Sequence, residues 1–300
     1  VEQRYSILST MKNEGPFILE WIAHYKELGF DSIFVATNDC EDPTVEILQR
    51  LQEIGLVQHH ATAFWPRSTP HKAALRQLQG YREVKNSDWI FVCDVDEFLV
   101  VKVGDGSVRA LVAASGDADV ISVPWRIFGS SGITNYRDAW ITEQFLMAEP
   151  TPQQDRKSAR RAKSIFHTPR RFQRYGIHQP IPKDEFSEQI HSVLPGGMPA
   201  SEWKSRNFDI AQLNHYALRS RDSFQVKKAR GRAHHVKHEL DDSYWKKFDR
   251  NHMHDESIAR YASGVRSRFA QLMADTALRT LHHQAVAWHR DKIRQMQADA

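Results

Sequence analysis

The sequence predicts an α/β fold: a mostly parallel central sheet flanked by helices, followed by a basic helical C-terminal region. Three observations carry this expectation. Short apolar stretches alternate with helix-period patterns over the first 125 residues. Several of those stretches, such as 32–37 and 89–93, are apolar at consecutive positions, as strands covered on both faces are. Gly, Pro and Asp punctuate the boundaries between them.

The elements follow in order. Residues 4–10 read as the first strand. Gly15-Pro16 opens a helix whose inner face is Phe17, Ile18, Trp21, Ile22, Tyr25 and Leu28, and Gly29 ends it. Residues 32–37 form the second strand. Asp42-Pro43-Thr44 starts the next helix, with Asp as the cap and Pro at the first helical position. Val45, Leu48, Leu51 and Ile54 are its buried stripe, and Gly55 stops it. Residues 56–60 are the third strand, 71–85 a helix and 89–93 the fourth strand. After Trp125 the alternation breaks down. Gly129-Ser130-Ser131-Gly132 is a loop, 150–163 a basic insertion, and 220–297 is helical and basic, with a break near Asp275.

Composition narrows the class. The chain has 300 residues, 41% hydrophobic and 26% charged, which excludes collagen, coiled coil and bulk disorder. Its apolar runs fall far short of the roughly 20 residues that span a bilayer. Val1 to Thr10 lacks the pattern of a secretory leader, and Cys40 and Cys93 are too few for a disulfide scaffold. A reducing, cytoplasmic setting is therefore expected. Residues 1–150 carry 13 Lys and Arg against 21 Asp and Glu, while residues 151–300 carry 28 against 16. That asymmetry points to an anionic ligand such as a nucleotide diphosphate, a lipid phosphate or a polyanion. No nucleic-acid-binding motif accompanies it.

Ligands of parallel α/β sheets sit beyond the carboxyl ends of the strands. Those positions are Lys12-Asn13-Glu14, Asn38-Asp39 and Asp94-Val95-Asp96-Glu97. In an extended chain Asp94 and Asp96 share a face. Two adjacent carboxylates repel, and a hard divalent cation, Mg²⁺ or Mn²⁺, relieves the repulsion.

Longer pieces carry a family resemblance. They are Met11 to Tyr25, Asn38 to Thr44, Asp94-Val95-Asp96-Glu97-Phe98, Trp125 to Gly132, Lys163-Ser164-Ile165, Asn214-His215-Tyr216, and Ser223-Phe224 leading to Lys227-Lys228 and Arg230. In this order they resemble GT-A-fold glycosyltransferases near family 2 and the related family 92. The resemblance implies sugar transfer from a nucleotide-diphosphate sugar, commonly a UDP-sugar, to a glycan, lipid-linked or other hydroxyl acceptor. It implies Mn²⁺ or Mg²⁺ at Asp94 and Asp96, with His215 completing the shell and His178 and His191 as competitors. Donor contacts would come from Thr10, Lys12, Asn13, Glu14, Asn38, Asp39, Asp42, Asp94 and Lys163, and a diphosphate clamp from Lys227, Lys228 and Arg230. Trp125, Phe128, Gly129, Ser130 and His178 would face the acceptor. An inverting reaction would draw its base from Asp184, Glu185 or Glu188; a retaining one needs none.

The catalytic domain would span 1–232, with 1–125 as its nucleotide-sugar half, and 233–300 would be a helical extension. That extension could pack on the domain, pair two copies, or lie against the inner face of a membrane. A sugar nucleotidyltransferase, a nucleotide-sugar hydrolase or a polyanion-binding protein stays as an alternative. Against the nucleotidyltransferase stands Met11-Lys12-Asn13-Glu14-Gly15-Pro16, where a Gly-rich basic loop is expected.

Overall fold

In the computed structural model, strands β1 (Tyr5–Met11), β2 (Ser32–Thr37), β3 (Gln58–Ala61) and β4 (Trp89–Val92) run parallel in the order β3-β2-β1-β4. The described residues are 2–62, 69–150, 161–202, 207–229 and 241–298. Helices α1 (Ile18–Glu27), α2 (Thr44–Glu53), α3 (Pro70–Gly80) and the short α4 (Arg82–Lys85) connect the four strands. Alternate strand residues point to opposite faces. Ile7, Val35 and Phe91 pack with α1 and α2, whereas Leu8, Phe34 and Ile90 pack with Ala74, Leu75 and Leu78 of α3. This two-sided burial is why the strands are apolar at consecutive positions. The helix expected over 71–85 is broken at Tyr81, whose extended backbone (ψ 141°) separates α3 from α4.

The chain continues through β5 (Glu97–Val101), α5 (Val108–Ala114), β6 (Val120–Ile127), α6 (Ile141–Gln144), β7 (Met147–Ala148), β8 (Ala162–His167), β9 (Phe172–Arg174), β10 (Ile181–Pro182), β11 (Ser192–Val193), β12 (Ala211–His215), α7 (Arg221–Ala229), α8 (Asp242–Phe248), β13 (Met253–His254), α9 (Ala262–Ala274) and α10 (Thr276–Ala298). The described residues thus form a nine-stranded sheet ordered β3-β2-β1-β4-β8-β6-β12-β5, with β11 beside the start of β6. The expectation of a mostly parallel sheet holds, five of its eight pairings being parallel, and the antiparallel pairings fall in its second half. There β8 enters antiparallel between β4 and β6, and β12 runs parallel to β6 but antiparallel to β5.

The C-terminal helices pack on this same body. α9 lies along α1, and α10 crosses α2, α7 and the turn Gly15–Phe17. Asp275 separates the two helices as the sequence suggests, its Oδ1 accepting from Leu278 N–H at 2.9 Å. Arg50 of α2 holds the same carboxylate at 2.7 Å. Gly15 permits the close crossing: a Cβ there would lie 2.6 Å from Ala285 Cβ and 2.8 Å from Asp42 Oδ2. No described helix is long and apolar enough to cross a membrane.

Leu278, Val286 and Ile293 carry the apolar face of α10 into the core. Leu278→Ala should therefore cost about 3 kcal/mol in urea unfolding, whereas Gln284→Ala on the exposed face should stay within about 0.5 kcal/mol.

Candidate active site

The site is built from the end of β4. Glu97 N–H donates to Asp94 O at 3.1 Å, so residues 94–97 turn instead of continuing extended. This corrects the picture of two carboxylates on one strand face: the turn sends them to different cations. Asp94 Oδ2 accepts from Lys163 Nζ at 2.9 Å, and Asp96 Oδ2 accepts from Lys227 Nζ at 2.6 Å. Trp21 Nε1 donates to Asp94 O at 3.1 Å and pins the turn from α1.

Lys163 is fully buried on β8, and its Nζ also lies 3.4 Å from Glu97 Oε2. Desolvation works against its charge, but Asp94 and Glu97 outweigh it and hold the ammonium protonated. Burial likewise pushes the Glu97 carboxyl up, opposed by Lys163. Glu97 Oε2 accepts from Asp94 N–H at 2.9 Å, so a single buried carboxylate braces both the turn and the lysine. Beneath it the Tyr25 hydroxyl lies 2.9 Å from Cys93 Sγ and donates to Glu97 O at 2.9 Å.

Antiparallel pairing of β12 with β5 sets His215 opposite Glu97, and Tyr216 N–H donates to Asp96 O at 2.8 Å. His215 Nε2 consequently stands 3.8 Å from Asp96 Oδ1. Burial pulls the His215 pKa down to about 4, with Asp96 opposing, so the imidazole is neutral at physiological pH. Burial works against the Asp96 charge, but Lys227 and His215 outweigh it and hold the carboxyl well below the usual range. Among the described residues no three His, Cys, Asp or Glu side chains converge as a ready metal cage. Asp96 Oδ1 and His215 Nε2, 3.8 Å apart, are nonetheless two donors of the kinds such an ion takes. A carboxylate with a neutral imidazole suits Mn²⁺.

The loop after β1 forms the neighbouring wall. Thr10 Oγ1 shares a hydrogen bond with His71 Nδ1 at 3.2 Å, and Lys12 is half-buried beside it. Asn13, in the left-handed region (φ 52°), accepts from Glu41 N–H at 2.7 Å. Glu14 Oε2 accepts from Arg219 Nη1 at 2.9 Å. After β2, Asn38 Nδ2 donates to Asp39 Oδ2 at 3.2 Å on an exposed turn, followed by half-buried Cys40. Thr37 Oγ1 meets His59 Nε2 at 2.8 Å. Asp42 is different: it is buried and accepts from Gly15 N–H at 2.9 Å and Thr44 N–H at 3.1 Å. Its carboxylate braces the loop from below and does not line the site.

On the other side, the Trp125 ring lies 4.3 Å from that of His215 and 5.3 Å from that of His178. Phe128, Gly129 and Ser130, expected to face an acceptor, are instead roofed over. Phe128 is fully buried against Tyr216, at 4.7 Å. A Cβ on Gly129 would collide with Asn251 Oδ1, and Ser130 N–H donates to Asp249 Oδ1 at 2.8 Å. His191 belongs elsewhere, because β11 joins the opposite end of β6 and His191 Nδ1 faces Asp117 at 3.2 Å. Asp184, Glu185 and Glu188 sit exposed on a short 3-10 turn, and their carboxylates make no hydrogen bond or ion pair among the described residues. Lys228 is exposed on α7, and Arg230 lies outside the described residues.

The sequence reading missed Arg219, His59 and His71. None belongs to a spacing that signals chemistry, and only the sheet brings them to the strand ends.

An α/β sheet that delivers carboxylates, lysines and a neutral histidine to its strand ends has the layout of the α/β sheets that take ligands there. A model of glycosyltransferase family 92 matches residues 8–263, past the boundary expected at 232, and the chain belongs to that family. A family 92 protein of Ricinus communis is 25% identical over 160 residues, 49% of this chain and 27% of that protein. One of Arabidopsis thaliana is 21% identical over 238 residues, 76% of this chain and 37% of that protein. The matches thus span about a quarter to somewhat over a third of those relatives. S. aureus TarS, residues 1–349, aligns over 97% of this chain and 89% of that one at 13% identity and a TM-score of 0.37, too low to carry an argument.

Removing Lys163 would leave buried Glu97 and part-buried Asp94 without their cation. Lys163→Met should cost about 3–5 kcal/mol in unfolding free energy. Adding Glu97→Gln to it should recover part of that loss, which a double-variant unfolding cycle measures.

Proposed function

We propose that this chain transfers a sugar from a nucleotide-diphosphate sugar, foremost a UDP-sugar, to a hydroxyl of a glycan, lipid-linked or similar acceptor, assisted by Mn²⁺ or Mg²⁺. The observation that carries this reading is Asp96: a buried, ionised carboxylate at the end of a core strand, with neutral His215 at 3.8 Å and the Lys227 ammonium at 2.6 Å. Asp96 and His215 would hold the ion, with Asp94 beside them. When bound, the ion offsets the diphosphate charge as the glycosidic bond breaks.

The remaining steps belong to the chain's own residues. Lys227 lies on a helix that ends beside the acidic turn, so its ammonium is placed to stabilise charge on the leaving diphosphate. Lys163 orients the Asp94 carboxylate toward the donor. Thr10, Lys12, Asn13, Asn38 and Asp39 line the nucleoside side. Trp125 offers an aromatic face to the acceptor sugar, next to His178. Inversion requires a carboxylate base, for which Asp184, Glu185 and Glu188 are proposed, on the segment that follows His178. The functional domain is proposed as 1–232, with the C-terminal helices as its structural support.

Nucleotide release from UDP-sugars, followed with and without acceptor, tests the reading. Activity should disappear on metal stripping with EDTA and return with Mn²⁺. Asp96→Asn should lower turnover by about 10²-fold or more. His215→Ala should raise the half-saturating Mn²⁺ concentration about 10-fold or more, and His191→Ala should leave it unchanged. Full activity in a metal-stripped sample would overturn the metal-assisted mechanism. For the base, one of Asp184→Asn, Glu185→Gln and Glu188→Gln should depress kcat by about 10²-fold or more with little change in donor affinity; if none does, the base lies elsewhere.

A further inference from the structure

Arg219 follows β12 and precedes α7, the helix that carries Lys227. Its side chain is only 8% exposed. The backbone there is in the left-handed region (φ 60°), a conformation that a non-glycine residue adopts at a cost and that aims this side chain inward. The guanidinium lies over Phe17, its Cζ 3.6 Å from the ring centroid, so an aromatic ring occupies one face of its plane. Within the plane, Nη1 donates to Glu14 Oε2 at 2.9 Å. The other two nitrogens, Nε and Nη2, are buried and have no hydrogen-bond partner among the described residues. These two form the side-on fork of an arginine, two parallel N–H donors spaced for two oxygens of one carboxylate or phosphate. Buried donors are almost always satisfied, so an unfilled fork marks a place for an acceptor from outside the chain.

The neighbourhood selects the acceptor. Tyr216 N–H holds Asp96 O at 2.8 Å, and Lys227 Nζ bridges Asp96 Oδ2 at 2.6 Å and Ala217 O at 2.8 Å. The segment carrying Arg219 is therefore wrapped on the acidic turn from one side, while Glu14 ties it to the loop after β1 on the other.

We propose that the Nε–Nη2 fork of Arg219 binds the diphosphate of the nucleotide, turning on its Glu14 contact as the anion enters. Glu14 acts through it as a positioning residue. This rests on the nucleotide-sugar reading of the site, and the test separates the two. Binding of UDP, uridine and inorganic pyrophosphate is measured by titration calorimetry for the full chain and for Arg219→Lys and Arg219→Gln, with thermal unfolding to establish that each variant is folded. Lysine keeps the charge and loses the fork. Both variants should bind UDP and pyrophosphate at least 10-fold more weakly, with uridine affinity unchanged. If Arg219→Lys or, should it not fold, Arg219→Gln binds UDP and pyrophosphate as the unmodified chain does, the fork assignment is overturned while the donor reading stands. If the unmodified chain binds pyrophosphate but neither UDP nor uridine, and the variants lose pyrophosphate, the fork stands and the nucleotide reading falls. If it binds none of the three, both fall.

Discussion

Charge buried at the end of β4 is the constraint around which the second half of the fold is arranged. Asp94, Asp96 and Glu97 come within four positions of one another, and Glu97 has no solvent exposure at all. Such carboxylates persist in the folded state only with cations placed at hydrogen-bonding distance. Lys163 meets two of them and Lys227 the third, from elements far away in the chain. The antiparallel entry of β8 between β4 and β6 places Lys163 at the turn. The pairing of β12 with β5 places His215, and α7 then returns Lys227 to the same point. The mixed half of the sheet is what brings two lysines and a neutral histidine from three later segments to one acidic turn.

The first half solves a different problem. It presents two polar loops, after β1 and β2, at one edge of the parallel strands, and braces them from below. Asp42 spends its carboxylate on the backbone of Gly15 and Thr44, and α10 lies against Gly15. The C-terminal helix thus supports the loop after β1 from behind, and residues 276–298 belong to the architecture of the candidate site.

How much of this was readable in the sequence follows from the range of the interactions. Local periodicity located the four parallel strands, the first two helices and the break at Asp275, because each depends on neighbours within one or two turns. The acidic turn was readable as a place, since a core strand ending in Asp94-Val95-Asp96-Glu97 delivers charge where a parallel sheet opens to its ligands. Its geometry was not: an extended continuation and a turn have the same spacing on paper, and the choice depends on Glu97 reaching back to Asp94 N–H. β5, β6 and β12 carried no distinctive pattern, and their pairing is a long-range property. Phe128, Gly129 and Ser130 suggested an open aromatic wall, whereas Asp249 and Asn251, more than a hundred residues later, cover them. Arg219 gave no signal, because its meaning lies in an unfilled donor pair that only packing reveals.

The two cysteines differ in a way that offers a practical handle. Cys93 is sealed beneath the acidic turn, where burial pushes its thiol far above the range in which it reacts. Cys40 is half-buried on the turn after β2, next to Asn38 and Asp39. A thiol-directed fluorophore added to the unmodified protein would therefore mark Cys40, on the turn between β2 and α2. These 300 residues thus carry one accessible attachment point for an optical reporter of ligand occupancy, with no engineering of the fold required.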